Sequence, residues 1–224
     1  MAFTPKSIKK CYTEQQQKTL LQTVMALKRP EYIRDFVYLK LLFETGIRSG
    51  AEGLTITMQS CRLEENPPKI YVAWSYSKTG VEKEILLSKV MADLLREYIK
   101  EFNSRFKTGT NGSTFIFYPG RDYDNKGNTV YHMDFQERWY YYRKKAGLDE
   151  VAYVTETGRK YRRFRLYDTR RTFIKKLRDK NPDLKLEELS MVTFHKSLDV
   201  LRNHYLEIDG EAIRKKAIFN MSQP

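Results

Sequence analysis

Four basic side chains and one tyrosine lie at the ends of predicted elements, where side chains can point into a cleft. Arg48 follows "ETGI", just beyond an apolar helix, and Lys78 lies at the tip of a predicted β-hairpin. Arg170 lies in the first turn of a helix, whose N–H groups can help to bind an anion. His195 precedes a short amphipathic segment that ends at Tyr205.

Attack of a phenolate on a phosphodiester is a reaction that needs all five side chains. Arg48 and Arg170 can hold the non-bridging phosphate oxygens through paired hydrogen bonds. Lys78 can protonate the departing sugar oxygen as a general acid, and His195 can bind another oxygen or transfer a proton. A phenol has an ordinary pKa of about 10, so a nucleophilic Tyr205 needs a positive pocket to ionise near neutral pH.

Most of the predicted elements that must position these residues are helices. A capping box of Thr13 and Gln16 precedes an amphipathic helix. A second helix, from about residue 34 to 45, is apolar on most sides, which predicts burial, and Gly46 ends it. The other predicted helices begin at polar residues, which are Ser88, Asp134, Asp168 and, for the last of three short C-terminal helices, Asp209.

Short apolar stretches between turn residues predict β-strands over 54–58, 69–76, 81–87 and 113–118. The second and third form a hairpin around "SKTG", which carries Lys78. The pattern predicts a mainly α fold with a small antiparallel β-sheet (α+β), in one domain.

The charge of the chain indicates a polyanionic partner. There are 41 Lys and Arg residues against 28 Asp and Glu residues, a net charge of +13. There is no long apolar run and no signal-peptide layout, which disfavours a membrane partner. Cys11 and Cys61 are too few and too far apart for a disulfide framework or structural zinc, so we expect a reducing, cytoplasmic location.

Two basic segments interleaved with aromatic residues predict a surface for double-stranded DNA. They are "RWYYYRKK" (138–145) and "GRKYRRFR" (158–165). A solvated charged face is the alternative, and the net charge favours DNA. The candidate phosphate contacts are Arg143, Lys144, Lys145, Arg159, Lys160, Arg162 and Arg163.

Motifs for calcium, zinc or nucleotide-phosphate sites do not match this sequence in residue type or in spacing. "DYDNKG" (122–127) resembles a calcium loop, but Lys126 and Met133 stand where oxygen ligands are required. His132, His195 and His204 lack the spacing of a helical zinc site, and phosphate-binding glycine loops are missing. We therefore expect no metal and no cofactor, and for His204 a packing role is favoured over a helper role beside Tyr205.

Four segments, in this order, resemble the motifs of the tyrosine recombinase (phage-type integrase) family. "LLFETGIRSGAE" resembles the Thr-Gly-Leu-Arg motif, and "YSKTGVEKEILLS" resembles the lysine hairpin. "FRLYDTRRTF", preceded by "RKKAGL", is similar to the His-x-x-Arg motif, and "FHKSLDVLRNHYLE" is similar to the Gly-His…Tyr motif. The resemblance covers about residues 13–208.

The resemblance implies the recombinase catalytic-domain fold and a metal-independent site-specific recombinase or integrase. Arg48 and Arg170 would bind the scissile phosphate with His195, and Lys78 would be the general acid. Tyr205 would form a 3′-phosphotyrosyl link to double-stranded DNA. The family also implies self-association in a tetrameric synapse, and a mobile element of archaeal or viral origin as the source.

Three residues depart from the family pattern. Tyr167 stands where the third motif usually has His or Lys. Its phenol can hydrogen-bond a phosphate but is a poor base. The resemblance implies that variants from archaeal mobile elements tolerate changes at this position. Phe194 replaces the glycine before His195, and Glu52 lies one residue later than the usual acidic position. These differences concern the rate and the proton path more than the class of reaction.

The predicted organisation is a basic segment (1–12), a catalytic domain (13–208) and a C-terminal helix and tail (209–224). The family's N-terminal core-binding domain is not found, which indicates an isolated catalytic domain or a minimal form. The final helix either docks on a neighbouring protomer or packs on its own domain.

Three other functions are alternatives to a recombinase. A type IB topoisomerase uses similar groups but relaxes supercoils, and a non-catalytic DNA-binding protein could keep the fold. Tyr167 supports the non-catalytic alternative, whereas both arginines, Lys78 and Tyr205 argue against it. A basic RNA-associated factor explains the charge but not the order of the motifs.

Overall fold

The computed structural model of the 224-residue chain describes residues 11–27, 30–50, 52–105, 115–117, 131–199 and 201. The chain divides into two compact units, Met1–Phe173 and Ile174–Pro224. The described residues form α1 (Glu14–Ala26), α2 (Pro30–Thr45), β1 (Cys61–Arg62), β2 (Lys69–Val72), β3 (Lys83–Leu86), α3 (Lys89–Arg105), α4 (Tyr131–Lys145), β4 (Val151–Val154), β5 (Lys160–Arg162), α5 (Asp168–Lys180) and α6 (Leu186–Thr193). This content confirms the predicted mainly α class, with two small antiparallel sheets instead of one.

The first sheet has the antiparallel order β1-β2-β3. Val72 at the end of β2 is paired with Lys83 at the start of β3, so the connection 73–82 carries Lys78 at the hairpin end, as predicted. The strand β2 is shorter than expected, because Tyr76 and Ser77 donate backbone hydrogen bonds to the Ala73 carbonyl in a turn.

The predicted strand 54–58 is wrong, and of the predicted strand 113–118 the structure describes only residues 115–117. Within 54–58 and 113–118, the described residues contribute one isolated bridge, between Thr57 and Phe115. The second sheet, the β4–β5 hairpin, was not predicted, because its strands are only three or four residues long and β5 lies in a basic segment. The stacked rings of Tyr153 and Tyr161, with centroids 4.6 Å apart, support this hairpin.

The helix boundaries agree better with the sequence. Thr13 and Gln16 form the predicted capping box of α1, and Gly46 (φ +63°) and Gly147 (φ +69°) follow the ends of α2 and α4. The helix α2 begins earlier than expected, at Pro30, because proline suits the first helical position. The calcium-like loop, Asp209, His204 and Tyr205 lie outside the described residues.

The core of the first unit surrounds α2, as its apolar sequence predicts. Leu39, Leu41 and Leu42 are fully buried. Tyr12, just before the predicted start of the catalytic domain, is also buried and stacks on Phe164 with the ring centroids 4.5 Å apart. No helix in the described part of the chain combines the length and apolar character required to cross a membrane.

Replacement of Gly46 by alanine is expected to lower the free energy of unfolding by about 2–5 kcal/mol. A Cβ atom at Gly46 would lie 2.3 Å from Cδ1 of Phe173, and the backbone has a left-handed φ of +63°. The left-handed conformation costs an ordinary residue about 1–2 kcal/mol, and overpacking adds about 1–3 kcal/mol. Urea unfolding followed by circular dichroism measures the loss.

Gly147→Ala is the matched control, because Gly147 has φ +69° but, among the described residues, no atom within 4 Å of the added Cβ. We expect it to lose only the conformational part, about 1–2 kcal/mol. Equal losses in the two variants would contradict a role for the Phe173 contact.

Candidate active site

Four hydrogen bonds hold the loop after α2, which carries Arg48. The Arg48 guanidinium donates a hydrogen bond to Oε1 of Glu52 at 2.8 Å, and its backbone N–H donates to Oε2 at 3.3 Å. The Gly53 N–H donates to the Arg48 carbonyl at 2.8 Å, and the Tyr38 hydroxyl donates to the Ser49 carbonyl at 2.6 Å. Glu52 therefore orients Arg48 although it lies one residue later than the family pattern.

The Glu52 carboxylate is buried beside a second cation, Lys83, whose ammonium group also donates to Oε1. Burial alone would raise the pKa of Glu52, but the hydrogen bond from Lys83 and the positive charges of Arg48 and Lys83 lower it overall. Glu52 thus carries a negative charge between the two cations at neutral pH.

Arg170, in the first turn of α5, reaches the same loop. Its side chain is buried, and Nη1 donates a hydrogen bond to the Gly46 carbonyl at 2.6 Å. Asp168, the first residue of α5, accepts the Arg165 N–H at 2.8 Å and the Arg171 guanidinium at 2.9 Å. The Asp168 contacts hold the first turn of α5, and the Arg170 contact joins that turn to the segment that carries Arg48.

A cleft of about 480 Å³ brings together three of the predicted site residues, Arg48, Lys78 and Tyr167. Lys78 is exposed, in a connection that is tightened by the hydrogen bond between the Ser77 and Thr79 hydroxyls at 2.9 Å. Tyr167 is 39% exposed, and the Arg171 guanidinium lies 5.9 Å from its ring centroid. The cleft therefore presents a guanidinium, an ammonium and a phenol to one ligand.

His195 belongs to the second unit, just after α6. The Thr193 hydroxyl lies 2.6 Å from Nδ1 of His195, and this hydrogen bond fixes the orientation of the ring. Phe194 has a left-handed φ of +53°, the conformation that favours glycine, which is the usual family residue here. Tyr205, the predicted nucleophile, lies outside the described residues.

The candidate phosphate contacts fall into two groups. Some are exposed, and the others are hydrogen-bonded to carboxylates or carbonyls of the same chain. Lys144, Lys145, Arg159 and Lys160 are exposed. Arg162 and Arg163 are half-buried and bind Asp149 and Glu150, respectively. Arg143 is buried, and its guanidinium donates to the Asp149 carboxylate at 2.7 Å and to the Phe164 carbonyl at 2.6 Å. Because this guanidinium has a structural role, Arg143 is not retained as a phosphate contact.

Two residues at the site were not among the predicted site residues. Arg165 is exposed and lines the cleft as well as a neighbouring pocket that contains Arg159, Lys160 and Arg162. Its place in "GRKYRRFR" was the available signal. Lys83 could have been found from the alternation of the hairpin strand, which places it on the same face as the buried Ile85.

Arg48 lies on one loop of the α+β scaffold, Arg170 donates to the same loop, and the lysine hairpin lines the same cleft, an arrangement that fits the catalytic domain of the tyrosine recombinase class. Residues 10–211 match the phage integrase family, and the chain belongs to this family. Membership supports a recombinase or integrase function and confirms the class predicted from the four motifs.

Solved structures with the same fold include recombinases and integrases. The XerA recombinase has a TM-score of 0.64 at 15% identity, with 97% of this chain and 68% of that chain covered. The XerH site-specific recombinase bound to palindromic difH substrate has a TM-score of 0.64 at 17% identity, covering 96% of this chain and 54% of XerH. The Tn1549 transposon integrase in complex with transposon right end DNA has a TM-score of 0.63 at 13% identity, covering 98% and 68%.

These likenesses confirm the predicted catalytic-domain fold. The chain spans between about half and two thirds of the length of these three proteins. A sequence search of curated proteins found no match.

Proposed function

We propose that this protein is a site-specific DNA recombinase that cleaves and rejoins double-stranded DNA through a 3′-phosphotyrosyl intermediate on Tyr205. The observation that carries the proposal is the shared cleft of Arg48, Lys78 and Tyr167, together with the bond from Arg170 to the Arg48 loop. The XerH and Tn1549 proteins in the solved structures are bound to DNA, which supports the same partner here.

In the proposed reaction Tyr205 first loses its phenol proton to solvent, and the phenolate oxygen then attacks phosphorus while the bond from phosphorus to the 5′ oxygen breaks. Arg48 and Arg170 stabilise the charge that develops on the non-bridging oxygens, with His195 as a further donor. Lys78 gives its proton to the departing 5′ oxygen. A 5′-hydroxyl then gives its proton back to Lys78 and attacks the phosphotyrosine; Tyr205 leaves as the phenolate, and the DNA strand is rejoined.

Covalent capture tests this function. The protein is incubated with nicked duplexes that contain candidate attachment sequences, in EDTA to test metal independence, and adducts are resolved on a denaturing gel. We expect an adduct with the wild-type protein and none with Tyr205→Phe. Salt-sensitive binding without an adduct on any duplex would instead favour the non-catalytic alternative, and relaxation of supercoiled plasmid without strand exchange would favour a topoisomerase.

Tyr167 is proposed to donate a hydrogen bond to the scissile phosphate in the place of the usual histidine. Hydrogen bonds to charged groups contribute about 1.5–3 kcal/mol, so Tyr167→Phe is expected to slow single-turnover adduct formation about 10–100-fold. Tyr141→Phe, an exposed tyrosine on α4, is the control and should keep the wild-type rate. A wild-type rate for Tyr167→Phe would exclude the hydroxyl from the reaction.

The exposed residues Lys144, Lys145, Arg159 and Lys160 are proposed to contact DNA phosphates. Each phosphate contact contributes about 0.9 to the slope of log K against log salt concentration. We expect the double variant Arg159→Ala/Lys160→Ala to reduce this slope by about 2, as measured by fluorescence anisotropy. Lys40→Ala/Lys89→Ala removes two lysines that are paired with Glu44 and Asp93, and its slope should match the wild type.

Self-association in a tetrameric synapse is proposed from family membership alone. Sedimentation with and without a duplex that gives an adduct tests it. We expect higher assemblies only with DNA.

A further inference from the structure

Lys83 occupies an unusual place for a lysine, on the buried face of a small sheet. It is the first residue of β3, it shares that face with Ile85, and its side chain is only 2% exposed. Its ammonium group donates to Glu52, whose side chain is 1% exposed. An apolar residue would satisfy packing at this register, so the charge requires another explanation.

We propose that Lys83 is a positioning residue that holds Glu52 in the orientation which directs Arg48 into the cleft. This inference rests on the proposed function, since Arg48 is taken to bind the scissile phosphate. Lys83 also follows Lys78 by five positions in one hairpin, so its ion pair ties the Arg48 loop to the segment that carries the general acid.

The hydrogen-bond pattern supports this role. Oε1 of Glu52 accepts from both Lys83 and the Arg48 guanidinium, while Oε2 accepts from the Arg48 backbone N–H. The carboxylate is therefore oriented by donors on β3 and on the loop after α2. It in turn holds Arg48 at both its backbone and its side chain. A guanidinium fixed in this way loses little conformational freedom when it binds a phosphate.

The charges around Lys83 explain why Glu52 is needed. Burial lowers the pKa of Lys83, the contact with Glu52 raises it, and the positive charges of Arg48 and Arg170 lower it further. Without Glu52, the positive charges of Lys83, Arg48 and Arg170 would repel one another. With it, Lys83, Glu52 and Arg48 together carry one net positive charge.

Single-turnover adduct formation with Lys83→Met, Lys83→Gln and Lys83→Arg tests the inference. We expect Lys83→Met to react about 10–100-fold more slowly, because small misplacements of binding groups have effects of this size. Non-covalent DNA affinity should change less than about threefold, and Lys83→Arg should recover most of the rate because it restores the buried charge. The matched control is Lys69→Met, which removes the partner of Glu65 and Glu84 at the exposed side of the same sheet.

A second measurement is independent of DNA cleavage. In ¹⁵N-labelled protein, the Nε–Hε resonance of Arg48, assigned with Arg48→Lys, should shift or broaden in Lys83→Met and in Lys83→Gln, but not in Lys69→Met. If the wild-type protein forms no adduct, the proposed function fails while this resonance still tests the positioning. An unchanged Arg48 resonance, or a wild-type rate with only a lower melting temperature, would overturn the inference. If Lys83→Met does not fold, Lys83→Gln decides by the same two measurements.

Discussion

Arg170→Lys is expected to slow formation of the Tyr205–DNA adduct about 10²–10³-fold, the usual effect of removing one donor that stabilises a developing negative charge. Arg170 donates to the Gly46 carbonyl through Nη1 at 2.6 Å, which aligns the guanidinium plane with the Arg48 loop. A lysine keeps the charge, but a single ammonium group cannot hold this carbonyl and also offer a planar pair of donors to a phosphate. Because Arg170→Lys keeps the positive charge, a lower rate of adduct formation would measure the loss of the planar guanidinium and not the loss of charge.

The rate is measured in single turnover on the duplex that gives the wild-type adduct, with binding measured separately. Arg96→Lys is the control, since Arg96 lies on α3 and pairs at the surface with Glu64 and Asp93. We expect it to react at the wild-type rate. A rate within about threefold of wild type for Arg170→Lys would mean that its guanidinium has only a structural role, and Arg48 would then be the one arginine left in the proposed phosphate site.

Much of the cleft could be predicted because its residues lie beside strong local signals. Gly46 ends α2 and so locates Arg48, and the "SKTG" turn locates Lys78. Tyr167 lies just before the helix that begins at Asp168. In each case a glycine, a turn or a helix start places the side chain at an element end, and such signals depend on few neighbours.

The errors concern features that depend on distant contacts. The apolar segment 54–58 pairs with no continuous strand among the described residues. Within this segment, Thr57 alone forms a bridge, to Phe115. Arg143 was predicted to contact DNA because it lies in a basic segment, but its guanidinium is buried and donates to Asp149 and to the Phe164 carbonyl. Composition gives the number of charges and not which of them already have internal partners.

Asp35→Asn is expected to have the largest effect on stability, lowering the free energy of unfolding by about 3–5 kcal/mol. Asp35 is fully buried on α2 and accepts from Arg34 at 3.0 Å and from Nε of Arg138 on α4 at 2.6 Å. It also accepts the Tyr142 hydroxyl, whose pKa is raised by burial and by the charge of Asp35. Asparagine has the same shape, but it removes the negative charge that these donors share.

Urea unfolding measures the loss, with Asp93→Asn as the control. Asp93 is an exposed carboxylate on α3 that pairs with Lys89 and Arg96, and exposed pairs of this kind contribute little. A loss below about 1 kcal/mol for Asp35→Asn would contradict the assignment of Asp35 as the central acceptor of a buried network.

Asp35→Asn also distinguishes an effect on stability from an effect on the rate of adduct formation. Asp35 joins α2, which leads into the Arg48 loop, to α4, which contributes Gln136 to the cleft. However, the loop keeps its own hydrogen bonds, in which Arg48 donates to Glu52 and the side chains of Tyr38 and Arg170 donate to loop carbonyls. We therefore expect folded Asp35→Asn to form the adduct at close to the wild-type rate, whereas Arg170→Lys should lose rate even where it is fully folded.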